Sequence, residues 1–103
     1  MKFEWDEGKD RINRLKHGIS FQLATKVFDD PYRIERYDRS VGNDLSEDRF
    51  QTIGSIGIVV FVVYTQRGFV TRMISARKAN SKERRLYYGD QDLQSETWSE
   101  VNR

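Results

Sequence analysis

The chain has 103 residues, with 18 Lys and Arg, 16 Asp and Glu, one His and no Cys, for a formal net charge of +2. That length predicts one domain with room for a hydrophobic core. Without Cys there is no disulfide framework and no thiol nucleophile, and a single His leaves no ligand set for structural zinc.

No apolar window is long enough for a transmembrane helix, and residues 1–6 lack the apolar centre of a secretory signal. A cytoplasmic protein is expected. The charge is unevenly laid out. Between positions 67 and 85, Arg67, Arg72, Arg77, Lys78, Lys82, Arg84 and Arg85 stand against Glu83 alone, whereas acids predominate over positions 29–48 and 89–103. A basic segment in a nearly neutral chain points to a local anion site rather than a general polycation.

In chain order, Phe3-Glu4-Trp5 alternates as a short edge strand does. Asp6 is a good N-cap for a helix running to about Lys16-His17, with Glu7 in its first turn. Ile12 and Leu15 are its expected apolar anchors, Asn13 is a poor interior residue, and Gly18 is placed to end it. Ser20 caps a second helix over residues 21–28, built on Leu23, Ala24, Val27 and Phe28. Asp29-Asp30-Pro31 stops it, because Pro31 has no N–H and restricts its predecessor.

Residues 32–37 read as an exposed strand, 38–48 as the longest loop, and 49–55 as a further strand. Residues 58–64 are β-branched or aromatic at every position, which predicts a strand covered on both faces. Thr65-Gln66-Arg67-Gly68 turns the chain into a partner strand carrying Arg72, Ser75 and Arg77 among Phe69, Val70, Met73 and Ile74. Asn80 or Ser81 caps a last helix that sets Leu86 and Tyr87 or Tyr88 against the sheet. Counted from Ser81, its capping box is incomplete, since N3 is Arg84. Residues 1–88 are expected to form one domain. Residues 89–103 read as a polar, acidic tail, weakly helical or frayed, with Trp98 its one aromatic. Early helices followed by grouped strands predict an α+β fold with an antiparallel sheet.

Several residues have two readings. His17, at a helix end beside Lys16, is a proton donor or phosphate contact, or else a cation that suits a helix C-terminus. Glu47 and Arg49 are an acid/base group beside an electrostatic stabiliser, or an ordinary ion pair. Regular alternation puts Arg72 and Arg77 on opposite faces unless the strand ends or bulges near Ala76, and it gives Ser75 the face of Arg77 and Met73. Tyr87 and Tyr88 stack on bases, or one is core and the other a half-exposed lid. Asp38, Asp44, Glu47 and Asp48 lack the EF-hand spacing, and no phosphate-binding glycine loop or G-x-S-x-G is present. No cofactor or metal is expected.

These residues resemble a known family. Glu4-Trp5-Asp6, Lys9, Asn13, Lys16-His17-Gly18, Phe21, Ala24, Val27-Phe28-Asp29, Glu47-Asp48-Arg49-Phe50, Gly54, Val63-Tyr64-Thr65 and Arg72-Met73-Ile74-Ser75-Ala76-Arg77 are similar to the pattern of the BrnT toxins. The resemblance covers residues 3–88. It implies a RelE-like toxin fold, with helices on one face of a curved antiparallel sheet and the RNA site on the other. It implies a metal-independent endoribonuclease that inhibits translation. It also implies a cognate ribbon-helix-helix antitoxin of the BrnA type, through which alone DNA is contacted, and no membrane partner. On this reading His17, Glu47, Arg49 and Arg77 are catalytic, while Lys16, Arg72, Ser75, Tyr87 and Tyr88 bind substrate. A non-catalytic RNA- or ribosome-binding module using the same basic strand is the alternative.

Overall fold

The longest strands form where β-branched and aromatic residues are densest. In the computed structural model, which describes residues 1–39, 47–89 and 98–101, these strands are the centre of a six-stranded sheet. The elements run β1 (Lys2–Glu4), α1 (Glu7–His17), α2 (Phe21–Ala24), a 3-10 turn (Thr25–Asp29), β2 (Ile34–Tyr37), β3 (Arg49–Ser55), β4 (Val59–Arg67), β5 (Val70–Lys78), α3 (Ser81–Tyr87) and β6 (Ser99–Glu100). Across the sheet the order is β1-β5-β4-β3-β2-β6. The α+β class is as expected. The sheet is not purely antiparallel, because β1 lies along the outer edge of β5 and runs parallel to it.

Three local readings change. The strand read over 58–64 continues through Thr65, Gln66 and Arg67, which pair with Arg72, Thr71 and Val70, so the turn shrinks to Gly68-Phe69. The helix read over 21–28 is α-helical only to Ala24. There the Thr25 hydroxyl donates to the Gln22 carbonyl (2.6 Å), and the chain tightens into the 3-10 turn. Within the segment read as a tail, Ser99 and Glu100 pair with Glu35 and Ile34 as a sixth strand, not a helix. Most of the loop read over 38–48, and residues 90–97 and 102–103 of the tail, lie outside the described residues.

β4 is buried from Val59 through Val62, so both faces of the sheet need cover there. α1, α2 and their connection supply one side: Ile19, Phe21, Ala24 and Val27 pack on Val60, Val62, Met73 and Ala76. On the other, Ala79 and Leu86 around α3 meet Ile34, Ile53, Val59 and Phe61. Helices on a single face, as the resemblance implied, would leave that second apolar set in water.

α1 begins at Asp6, whose carboxylate accepts the Lys9 N–H (2.9 Å), and ends at Gly18 in a left-handed conformation (φ 71°). Its anchors are not Ile12 and Leu15, which are 59% and 83% exposed. The buried residues are Asp10 and Asn13, likewise three apart, on another face of the helix. Asp10 accepts the Phe21 N–H (2.7 Å). Asn13 donates to the carbonyls of Ile19 and Ala76 (2.8 Å each) and accepts the Ala76 N–H (3.1 Å). β1 pairs only with Val70, Thr71 and Arg72, so the Asn13 amide takes the place of a neighbouring strand at Ala76. The last helix starts from Asn80. With Asn80 as N-cap, N3 is Glu83 and the capping box is complete (2.8 and 2.9 Å).

Asn13→Ala removes all three bonds and strands buried backbone groups that cost roughly 1–3 kcal/mol each when unpaired. Urea unfolding should show a loss on the order of 3 kcal/mol, with no recovery in Asn13→Leu, which restores bulk but not the amide. A loss within the range of ordinary surface substitutions would remove Asn13 from this role.

Candidate functional site

A single extra residue assembles the site. Val63 pairs with Ser75 and Tyr64 with Met73, so Ile74 is a β-bulge without a partner. The bulge restores phase along β5. Arg72, Ser75 and Arg77 share one face, while Met73 and Ala76 turn to the opposite core. The condition under which Arg72 and Arg77 share a face is therefore met at Ile74, and Ser75 faces with the two arginines rather than with Met73.

Register then lines up three rows on that face. Glu4, Arg72, Thr65 and Arg49 sit side by side across β1, β5, β4 and β3. Ser75, Val63, Gln51 and Arg36 form the next row, and Arg77, Phe61, Ile53 and Ile34 the third. Directly opposed side chains lie about 5 Å apart, so Arg72, Arg49 and Arg36 share a half-exposed strip with Glu4, Gln51 and Ser75. α3 covers the third row.

The arginines differ in their engagement. Arg77 makes a two-pronged bond to Glu83 (2.8 and 2.9 Å) and lies over the Phe61 ring at 4.2 Å, clipping the start of α3 to the sheet. Arg72 bonds Glu4 at 2.5 Å. Glu47 pairs with Arg67 on β4 (2.5 and 2.7 Å), not with its neighbour Arg49. That hydrogen bond, donated by Arg67 to Glu47, also raises the Arg67 pKa. The half-buried Arg49 guanidinium has no carboxylate partner among the described residues. These ion pairs are partly exposed, so an incoming phosphate can compete for them at small cost.

Lys16 and His17 come to the same strand from the other side. With Lys9, Ile12 and Asn13 of α1 and Ile74 and Ser75 of β5 they line a groove of about 190 Å³. Both are exposed, in the last turn of a helix whose terminal carbonyls favour cations. The two acid/base candidates thus stand apart: His17 lines the groove, whereas Glu47 is tied to Arg67 near the β4–β5 turn.

Tyr87 and Tyr88 divide as anchor and exposed ring. The Tyr87 hydroxyl donates to Asp30 (2.6 Å), which also accepts the N–H groups of Ser55 (2.7 Å) and Tyr32 (2.9 Å). Gly54 permits this approach, since a Cβ there would stand 2.7 Å from a Val27 methyl. Burial, then the bond to Asp30, push the Tyr87 phenol far above its ordinary value. Burial alone would push the Asp30 carboxyl up, but the donors Tyr87, Ser55 and Tyr32 and the nearby Arg33 together hold it below its ordinary value. Tyr88 is 74% exposed, its ring edge-on to Tyr87 at 5.1 Å.

Sequence reasoning missed Glu4, Arg36, Gln51, Thr65 and Arg67. Arg36 donates to Gln51 (2.7 Å) and lies over the Trp98 ring at 4.4 Å. The polar alternation Arg49, Gln51 in a strand with an apolar partner was the available signal, but it names a face only once register is known.

Comparison with known proteins places this site in a family context. Residues 5–83 match the family model described as ribonuclease toxin, BrnT, of type II toxin–antitoxin system. The crystal structure of the ribonuclease toxin BrnT of Brucella abortus is similar, with a TM-score of 0.58 and 26% identity over 79% of this chain and 99% of that one. No curated protein sequence matches. The matched span takes in the groove and all three rows on β5, and stops before Tyr87, Tyr88 and β6.

The Asp30 cluster has a pH signature. A carboxyl held below its ordinary 3.8 stabilises the fold fully above that value and loses its contribution as pH falls through the folded pKa. Asp30→Asn should therefore melt below the native chain at about pH 7, and the gap should close as pH drops below about 3.8. A gap independent of pH would mean that the carboxylate charge is not what holds α3.

Proposed function

This chain belongs to the BrnT family of ribonuclease toxins of type II toxin–antitoxin systems, and from that premise we propose that it is a metal-independent endoribonuclease using the 2′-hydroxyl of its own substrate. Cleavage by this route needs three things: a group to take the 2′-hydroxyl proton, a group to protonate the leaving 5′-oxygen, and cations for the charge gathering on phosphorus. The observation that carries the reading is the bulge at Ile74. It sets Arg72, Ser75 and Arg77 on the face of Arg49, with the Lys16–His17 groove opening on the same strand.

Arg49 and Arg72 are the main phosphate clamps, since guanidinium binds two phosphate oxygens at once. Arg77, already bonded to Glu83, adds positive potential and positions α3. His17 is the acid/base group at the groove, with Lys16 as electrostatic support. Glu47, bonded to Arg67, is the second acid/base candidate. Ser75 hydrogen-bonds the substrate backbone, the exposed Tyr88 ring stacks on a base, and Tyr87 holds that ring in place.

The wider reading follows the family. The sheet with its packed helices resembles the RelE-like fold. Cutting RNA in the cytoplasm inhibits translation, and a cognate antitoxin neutralises the toxin. That antitoxin is a BrnA-type ribbon-helix-helix protein that carries the DNA contact. Among the described residues no helix is long and apolar enough to cross a membrane. One observation favours the rival, a non-catalytic RNA- or ribosome-binding module: His17 and Glu47 stand apart.

Purified protein incubated with RNA in EDTA should leave 2′,3′-cyclic phosphate ends. Arg49→Ala, Arg72→Ala and His17→Ala should each slow cleavage about 10²–10³-fold, by analogy with lost oxyanion donors. RNA that is bound but uncut supports the binding module, and full activity of His17→Ala removes the imidazole from the chemistry.

A further inference from the structure

We propose that Trp98 is a base-stacking residue of the RNA site, supplied by the C-terminal segment beyond the span that matches the family; this rests on the nuclease reading above. β6 pairs with β2 through Ile34–Glu100 and Glu35–Ser99. One further step of that register sets Trp98 opposite Arg36, on the face of Gln51, Val63 and Ser75. The ring contact agrees, with the Arg36 guanidinium 4.4 Å from the indole centroid. Arg36 is itself steadied by Gln51 at 2.7 Å. A cation behind the ring and a backbone ladder beside it fix the plane of the indole at the sheet rim.

The setting fits a nucleobase better than it fits a core residue. Trp98 packs against the Ile34, Ile53 and Leu86 cluster yet remains only half-buried, immediately before an edge strand of two residues. Its row leads through Arg36, Gln51 and Val63 to Ser75, a lining residue of the His17 groove. At one interstrand spacing per step, the indole lies roughly 19 Å from that groove. Arginine-backed aromatic rings at the end of a cationic strip are how proteins hold unpaired bases, because every base has a π face and the strip tracks the phosphates. The stacked base is therefore one remote from the cut. Trp98 lies beyond residues 5–83, the span that matches the family. A remote base contact made from there would give this chain a substrate preference that the matched span does not carry.

The test is steady-state cleavage of single-stranded RNAs of increasing length by the full chain, with Trp98→Ala and Trp98→Phe beside wild type. Trp98→Ala should raise KM about ten-fold on long RNA, with kcat moving less, and the penalty should shrink as the RNA becomes too short to span the row. Trp98→Phe, which keeps an aromatic face, should recover most of the affinity. Titration with uncleavable 2′-deoxy-substituted RNA should quench wild-type tryptophan fluorescence, and the quenching should fall in Trp98→Phe. A lower melting temperature with unchanged KM and unchanged quenching would make the indole a cover for the apolar cluster and overturn the proposal. Faster cleavage by Trp98→Ala would overturn it too, as the mark of a segment that obstructs the site. If wild type neither binds nor cuts RNA, the nuclease reading itself fails.

Discussion

One side-chain amide holds the arrangement in register. β1 covers only the first third of the outer edge of β5, and an open edge carries unpaired N–H and C=O groups. Asn13 closes that edge at Ala76 by bonding both backbone groups of the same residue, and its second N–H bond captures Ile19 at the start of the next segment. An apolar anchor would allow α1 to slide by a fraction of a turn. Paired hydrogen bonds to one strand residue do not. Lys16 and His17 follow Asn13 within one helical turn, so the bond that fixes the helix also fixes their distance from Ser75.

The second constraint is the bulge. A regular β5 would divide its arginines between the two faces, and one would then be buried under α1 and α2. The unpaired Ile74 changes the phase once, between a helix-facing set (Met73, Ala76) and a cationic set (Arg72, Ser75, Arg77). Bulges often re-aim side chains near functional sites. Here the same irregularity also opens the groove, since Ile74 and Ser75 line it. The Arg77–Glu83 pair completes the seat of α3, and the Asp30–Tyr87 bond pins its other end. The arginines of this face whose partners are more exposed, or absent among the described residues, are Arg72 and Arg49.

Much of the architecture was legible in the chain because it rests on local chemistry. Asp6, Ser20 and Asn80 cap helices with short side-chain acceptors, and Gly18 ends α1 in a conformation that other residues resist. The unbroken β-branched run of β4 declared a strand covered twice. The family pattern lay within the same residues and matches over 5–83. Where local signals competed, the tertiary structure chose. Ile12 and Leu15 fit an apolar stripe as well as any pair on α1, yet Asp10 and Asn13 are buried, because what they meet is backbone that needs polar atoms: the first N–H of α2 for Asp10 and the open edge of β5 for Asn13.

Capping, periodicity and charge layout are properties of neighbours along the chain, and for them the amino-acid order was sufficient. The rows of the candidate site are properties of pairing between distant strands. One bulged residue inverts every side chain beyond it, and no local rule placed that bulge at Ile74. The partner of Glu47, the company of Arg36 and the return of Trp98 to the sheet all depend on which strands became neighbours. Only the folded molecule settles that, because loop closure and the burial of both faces of β4 are decided together over the whole chain.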